Sequence, residues 1–283
     1  MSVWQTTRFR IDLTTPQVMG IVNLTPDSFS DGGQHADART GALFCEQLVK
    51  DGADILDIGG ESSRPGAPSL SADEEWQRIE SVLKVALTLG VPVSVDTCKT
   101  EVMQRALDLG ADIINDIRAL LAPGAEAVIS AHATCGVCLM HMQGAPATMQ
   151  LQPSYPDVVG EVRDFLKARA LALTSHGVSP DRITLDPGFG FGKTPEHNLA
   201  LLREQARLLE LGWPLLVGWS RKSTIGHLTG RPVGDRLVGS VAAALASVQL
   251  GARIVRVHDV ADTAGALAIW SAAGLLDSGV KQA

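Results

Sequence analysis

The run DILDIGG at residues 54–60, followed by VPVSVD at residues 91–96, is apolar on both faces of an extended chain. A strand that hides both faces belongs to a sheet covered on both sides, as parallel sheets are. Comparable runs place strands at residues 18–23, 54–59, 91–96, 112–115, 137–141, 182–186, 214–218 and 253–258. Most of the gaps between them read as helices, with amphipathic stretches such as residues 72–89, 157–176, 195–211 and 233–250. Strand–helix alternation carried through eight times predicts an α/β fold, a single (β/α)8 TIM barrel, with a doubly wound open sheet as the alternative. Residues 9–13 are expected to form a short N-terminal hairpin closing the barrel's bottom. No Pro- or Ser-rich linker divides residues 1–283, so one domain is expected.

Composition narrows the function. Hydrophobic residues make up 45% of the 283 residues and charged ones 19%, a globular balance. A formal net charge of −7 argues against a general nucleic-acid binder, which needs a basic surface to neutralise phosphates. Residues 1–10 lack the apolar stretch of a signal peptide, and the apolar run at residues 237–250 is too short to span a bilayer. Four cysteines do not make a secreted disulfide framework. A cytoplasmic protein with no membrane partner is expected.

Unusual residues fall at one end of the strands. Asn23, Gly59, Asp96, Asn115, His141, Asp186, Gly218 and His258 each end or follow a predicted strand. Strands often stop at Asn or Asp for local reasons. In a barrel, however, all these ends converge on the face where active sites lie. The pocket so formed would hold acceptors (Asp96, Asp186), amides (Asn23, Asn115) and imidazoles. The turns that follow are long or glycine-rich, and glycine lets backbone approach a ligand closely.

Six stretches carry a family likeness. MGIVNLTPDSFSDGG (19–33) and DIGGESSRPGA (57–67) resemble the two signature loops of dihydropteroate synthases. LMHMQGAPATMQ (139–150), DPGFGFGK (186–193), GWSRKS (218–223) and RVHD (256–259) follow in the family's order, so that the resemblance covers essentially the whole chain. Ser63 stands where many members carry Thr, and the hydroxyl is kept.

The resemblance implies a condensation of 6-hydroxymethyl-7,8-dihydropterin pyrophosphate with para-aminobenzoate to 7,8-dihydropteroate, with release of pyrophosphate. Asp186 would take the pterin N3–H and 2-amino group, a bidentate geometry suited to a carboxylate. Asn115 would take the mixed edge, Asp96 the N8 side, and Lys222 would donate to the carbonyl. Met140, Phe189 and Gly218 would wall the ring. Asn23, Ser63, Arg64, Arg256 and His258 would contact pyrophosphate, with one Mg²⁺ held mainly by pyrophosphate oxygens and water and, from the protein, by Asn23. Phe29, Pro65, Phe189, Lys222 and Ser223 would surround para-aminobenzoate, the place sulfonamide drugs occupy. Asp27 and Asp31 would help close the first loop. Asp96, Lys222, Arg256 and His258 form the catalytic set, and a homodimer is the family expectation. Read without the resemblance, Lys222 could be a surface lysine and Arg256 a barrel-interior ion pair. A non-catalytic pterin-binding paralogue and a corrinoid-linked pterin methyltransferase are the alternative functions.

Other signals are discounted. PGFGFGKT (187–194) nearly matches a phosphate-binding P-loop, but Pro187 stands where its first glycine belongs. Cys135 and Cys138 have zinc or redox spacing, yet residues three apart in a strand face opposite sides. Cys98 reads as packing.

Overall fold

The computed structural model describes residues 1–25, 33–62 and 69–276, with backbone alone at 33–37. Its centre is an eight-stranded parallel sheet: β3 (Gln17–Asn23), β4 (Ile55–Gly59), β5 (Val93–Asp96), β6 (Ile113–Asp116), β7 (Gly136–Met140), β8 (Ile183–Asp186), β9 (Leu216–Val217) and β10 (Ile254–Val257). Neighbours pair in the order β8-β7-β6-β5-β4-β3-β10-β9, and a parallel bridge between Leu185 and Leu215 joins the two ends. The sheet therefore closes on itself as a barrel.

Helices follow every strand: α1 (Gly33–Lys50), α2 (Ala72–Ala86), α3 (Thr100–Leu109), α4 (Ala125–Ala131), α5 (Val158–Ser175), α6 (Pro195–Arg203), α7 (Gln205–Leu209), α8 (Ser223–Thr229), α9 (Leu237–Gln249) and α10 (Val260–Ala272). α2 begins where Ser71 and Glu74 satisfy each other's backbone N–H groups, a reciprocal cap. The stretch 195–211, read as one helix, is two. The chain turns at Glu204, and the buried Gln205 side chain donates to the Ser247 carbonyl at 2.9 Å. The stretch 233–250 likewise breaks at Arg236, between a single 3-10 turn and α9.

Side-chain alternation along the strands makes two cores. Outward residues such as Val22, Leu56, Val95, Leu139 and Val255 pack beneath the helices. Inward residues Met19, Ile55, Ile113, Cys138, Leu216 and Ile254 fill the lower barrel. The N-terminal hairpin, β1 (Val3–Gln5) paired antiparallel with β2 (Arg10–Asp12), plugs that end with Trp4, Ile11 and Leu13. Trp4 Nε1 donates to the Arg182 carbonyl at 2.9 Å, and a Cβ on Gly136 would lie 3.1 Å from that nitrogen. Glycine is what lets the plug seat. Cys138 faces this inner core and Cys135 the outer one, both with thiols that burial pushes up.

Candidate active site

With the bottom closed, the open end lies at the strands' C-termini. Register sets Asn23, Gly59, Asp96 and Asn115 side by side across β3 to β6, and Met140 beside Asp186 across β7 and β8. The same alternation that buries Ile55 and Ile254 brings Asp57 and Arg256 inward two residues later. Polar side chains thus form the layer above the apolar one.

Arg256 ties this layer together. Its Nε donates to Asp57 Oδ2 at 2.6 Å and its Nη2 to Asp96 Oδ2 at 2.7 Å, while Asn115 Nδ2 donates to the same Asp57 oxygen at 3.2 Å. Asp57 is fully buried. It was not among the residues expected from sequence, because an acid inside DILDIGG read only as part of a strand. Period-two spacing from the inward Ile55 is the signal that finds it. Burial works against the Arg256 charge, but Asp57 and Asp96 outweigh it and hold the guanidinium protonated. Burial pushes the Asp96 carboxyl up to about 7, with Arg256 holding it down.

Across the mouth sits a second charged group. Asp186 is buried, accepts from the Gly188 N–H at 2.7 Å, and is pushed up by burial against the pull of Lys222. Burial lowers the half-buried Lys222 to about 8, and Asp186 opposes this. The Lys222 ammonium donates to the Phe189 carbonyl and lies 4.6 Å from the centre of the Phe191 ring. Arg221, just before it, holds a left-handed φ of 60°, costly for a side-chain-bearing residue. It is clamped by Ser240 Oγ on its N–H, by Arg236 on its carbonyl and by Asp259 on its guanidinium. That clamp turns the chain so that Lys222 reaches back over the barrel.

Two expected residues are placed differently. Phe189 cannot wall a ring with its own: it is fully buried and stacks on Trp219 at 4.2 Å. Gly188, Gly190 and Gly192 all adopt positive φ, and the turn they build sends Phe189 into the core and leaves Phe191 half-buried beside Lys222. Phe191, not Phe189, is the phenylalanine whose ring borders the Lys222 ammonium. His141 leaves the pocket too, since it follows the inward Met140 and packs edge-on against Phe165 at 5.0 Å.

The remaining expected residues lie at the mouth or outside the described residues. His258 donates its backbone N–H to the Ser220 hydroxyl oxygen at 3.1 Å, and its Nδ1 lies 3.0 Å from the same oxygen. Gly218 ends β9's approach, where a Cβ would come 3.6 Å from Lys222 Nζ. Ser223 is exposed at the first turn of α8. Met140 is buried under Gly188. A cavity of about 40 Å³ opens beside Asp96, lined by Glu61, Ser62, Thr97 and Cys98. Asp27, Phe29, Asp31, Ser63, Arg64 and Pro65 lie outside the described residues. Burial pushes the Cys98 thiol up to about 11, which leaves it no nucleophile at neutral pH.

The sequence pattern of the family described as pterin binding enzyme matches residues 19–258. The dihydropteroate synthase of Neisseria meningitidis serogroup B (strain ATCC BAA-335 / MC58) is 57% identical over 279 residues, spanning 96% of this chain and 98% of that one. The solved Xanthomonas albilineans dihydropteroate synthase with 4-aminobenzoic acid superposes with a TM-score of 0.87 at 46% identity, covering 94% of this chain and 95% of that one. A structure of dihydropteroate synthase from the same organism in complex with 7,8-dihydropteroate gives 0.87 at 43% identity, covering 95% and 98%.

Proposed function

The chain belongs to the pterin-binding enzyme family and, within it, to the dihydropteroate synthases, and from that premise we propose how its strand-end pocket joins 6-hydroxymethyl-7,8-dihydropterin pyrophosphate to para-aminobenzoate. The observation that carries this reading is the convergence on one barrel mouth of Asp96, Asn115 and Asp186 with Lys222 and Arg256.

Asp186 accepts the pterin N3–H and 2-amino group together, and its burial makes those charge-assisted bonds count. Asn115 offers donor and acceptor to the mixed edge, and Lys222 donates to the ring carbonyl. Met140, Gly218 and Phe191 bound the ring. Arg256, Asn23 and His258 face the pyrophosphate, joined by Ser63 and Arg64 from the second loop. A guanidinium carries five N–H donors, so ion pairs to Asp57 and Asp96 leave Arg256 others for phosphate oxygens. Para-aminobenzoate sits near Lys222, Ser223, Phe29 and Pro65, and Asp27 and Asp31 close the first loop over it.

Magnesium fits as a substrate-borne ion. Among the described residues no group of three or more His, Cys, Asp or Glu could cage a metal, and Asn23 at the rim offers a single amide oxygen. Bound to pyrophosphate with Asn23 as the protein ligand, Mg²⁺ would supply neutralisation of the leaving group.

The chemistry we propose is dissociative. The arylamine is a weak nucleophile, whereas the pterin methylene adjoins a conjugated ring that can spread positive charge onto its nitrogens. Asp96, poised near neutrality beside N8, stabilises that charge as it develops, while Arg256 and Arg64 stabilise departing pyrophosphate. Cleavage of C–O then precedes C–N formation. Deuterium on the methylene should give a normal secondary isotope effect when chemistry limits the rate, and an effect near unity would indicate direct displacement.

Two coarser features follow. No helix among the described residues is long and apolar enough to cross a membrane; with four free thiols, we place the enzyme in the cytoplasm. A homodimer is supported by exposed Leu228 on α8, Val233 on the turn after it, and Leu237 and Val238 on α9. Val238→Asp should then sediment as a monomer, and an unchanged dimer would remove this face from the interface.

A further inference from the structure

Lys193 was set aside with the near-match to a P-loop, and no step above uses it. It is nonetheless a buried cation with four acceptors around its ammonium. Its side chain is buried, and its ammonium lies 3.0 Å from the Gly188 carbonyl, 3.1 Å from that of Phe191, 3.3 Å from that of His141 and 2.9 Å from His141 Nδ1. The three protons of an ammonium can be shared among these acceptors, the imidazole nitrogen accepting when its ring proton sits on Nε2. Burial lowers His141 to about 3, and Lys193 adds to this, so the imidazole is neutral and can accept. Burial is also the largest influence on Lys193, drawing it down to about 7, with Lys222 adding to the effect and Asp186 opposing it.

The contacts bridge two barrel loops. His141 follows β7, whereas Gly188 and Phe191 belong to the turn after β8. The two backbones nearly touch: a Cβ on Gly188 would fall 1.9 Å from the His141 carbonyl oxygen, and one on Gly192 would fall 2.5 Å from that of Gln143. Carbonyl oxygens crowded together repel, and a cation among them offsets that repulsion. What the turn presents on its other side is the pterin end of the site. The Gly188 N–H steadies Asp186, the Phe189 carbonyl receives Lys222, and the Phe191 ring lies under that ammonium.

We propose that Lys193 is a positioning residue for pterin binding: by gathering the His141, Gly188 and Phe191 carbonyls it fixes the 188–191 turn, and through it Asp186 and Lys222. This rests on the synthase reading of the pocket. The His141 ring packs against Phe165 and 6.1 Å from the Tyr155 ring, so it serves the turn and does not touch the substrate.

The test compares two ligands at opposite ends of the pocket, free 6-hydroxymethylpterin and inorganic pyrophosphate with Mg²⁺, by calorimetry on the full chain. Lys193→Met keeps length and loses charge. It should weaken pterin about tenfold or more and pyrophosphate less than about twofold, and Lys193→Arg should recover part of the pterin affinity. His141→Leu keeps the ammonium and removes one acceptor. It should weaken pterin about threefold in the same selective way, and it carries the test if Lys193→Met does not fold. Wild-type pterin affinity in a folded variant, or equal losses for both ligands, would overturn the proposal. A wild-type chain that binds pyrophosphate but no pterin would overturn the reading of the pocket itself, and Lys193's role with it.

Discussion

Arg256→Met takes away the cation between two carboxylates while keeping most of its aliphatic packing. Asp57 is fully buried, and without the guanidinium its remaining donor is the Asn115 amide at 3.2 Å. Breaking a buried pair from one side costs about 3–5 kcal/mol, because a charge is left without its partner. Protonation sets a ceiling: neutralising a carboxylate of ordinary acidity at pH 7 costs about 4 kcal/mol, roughly three pH units at about 1.36 kcal/mol each. Asp96 adds little, since burial has already pushed it up to about 7. The expected loss is that of one carboxylate, about 3–4 kcal/mol, and not twice that. Asp57→Asn added to Arg256→Met should restore more than half of the stability, because no bare charge is left. Urea unfolding followed by circular dichroism at pH 7 measures all of this. Losses that simply add in the double variant would refute the ion-pair reading.

Three further outcomes are expected. Asp96 holds its proton up to about 7 in the folded chain against 3.8 as its ordinary value, so the folded state binds more protons and stability falls as pH rises through that window. Asp96→Asn should therefore unfold at higher urea than wild type at pH 8, match it near pH 4, and lack activity; a variant less stable at pH 8 contradicts the sign. Gly188→Ala puts a Cβ 1.9 Å from the His141 carbonyl at a φ of 69°, so pterin affinity should fall about 100-fold or more as the turn shifts, and unchanged affinity in a titration would contradict this. Phe189→Leu should cost about 1–2 kcal/mol of stability, whereas Phe191→Leu should lower kcat/KM with little change in melting temperature; the reverse pattern would return Phe189 to the pocket wall.

Much of this was legible in the sequence because barrel strands announce themselves. Runs such as VPVSVD are apolar on both faces, and the residues that end them mark the mouth. Where reading failed, the cause was local direction. Asp57 faces the barrel interior and His141 faces away from it, and one residue of offset along a strand reverses that. The two phenylalanines of DPGFGFGK are indistinguishable by composition; three positive-φ glycines decide which turns inward. Val3–Gln5 is too short to show a period, so only its partner segment was foreseen. Lys193 resembled part of a phosphate loop, and only the crossing of the 141 and 188 backbones shows that its partners are carbonyls.

The most direct measurement supplies the purified chain with Mg²⁺, 6-hydroxymethyl-7,8-dihydropterin pyrophosphate and para-aminobenzoate, and quantifies both products. The account predicts 7,8-dihydropteroate and pyrophosphate in equal amounts, dependent on para-aminobenzoate and abolished in folded Asp186→Asn. Pterin binding without either product, from folded wild-type protein and fresh substrates, would contradict it and leave a pterin-binding protein that does not perform the condensation.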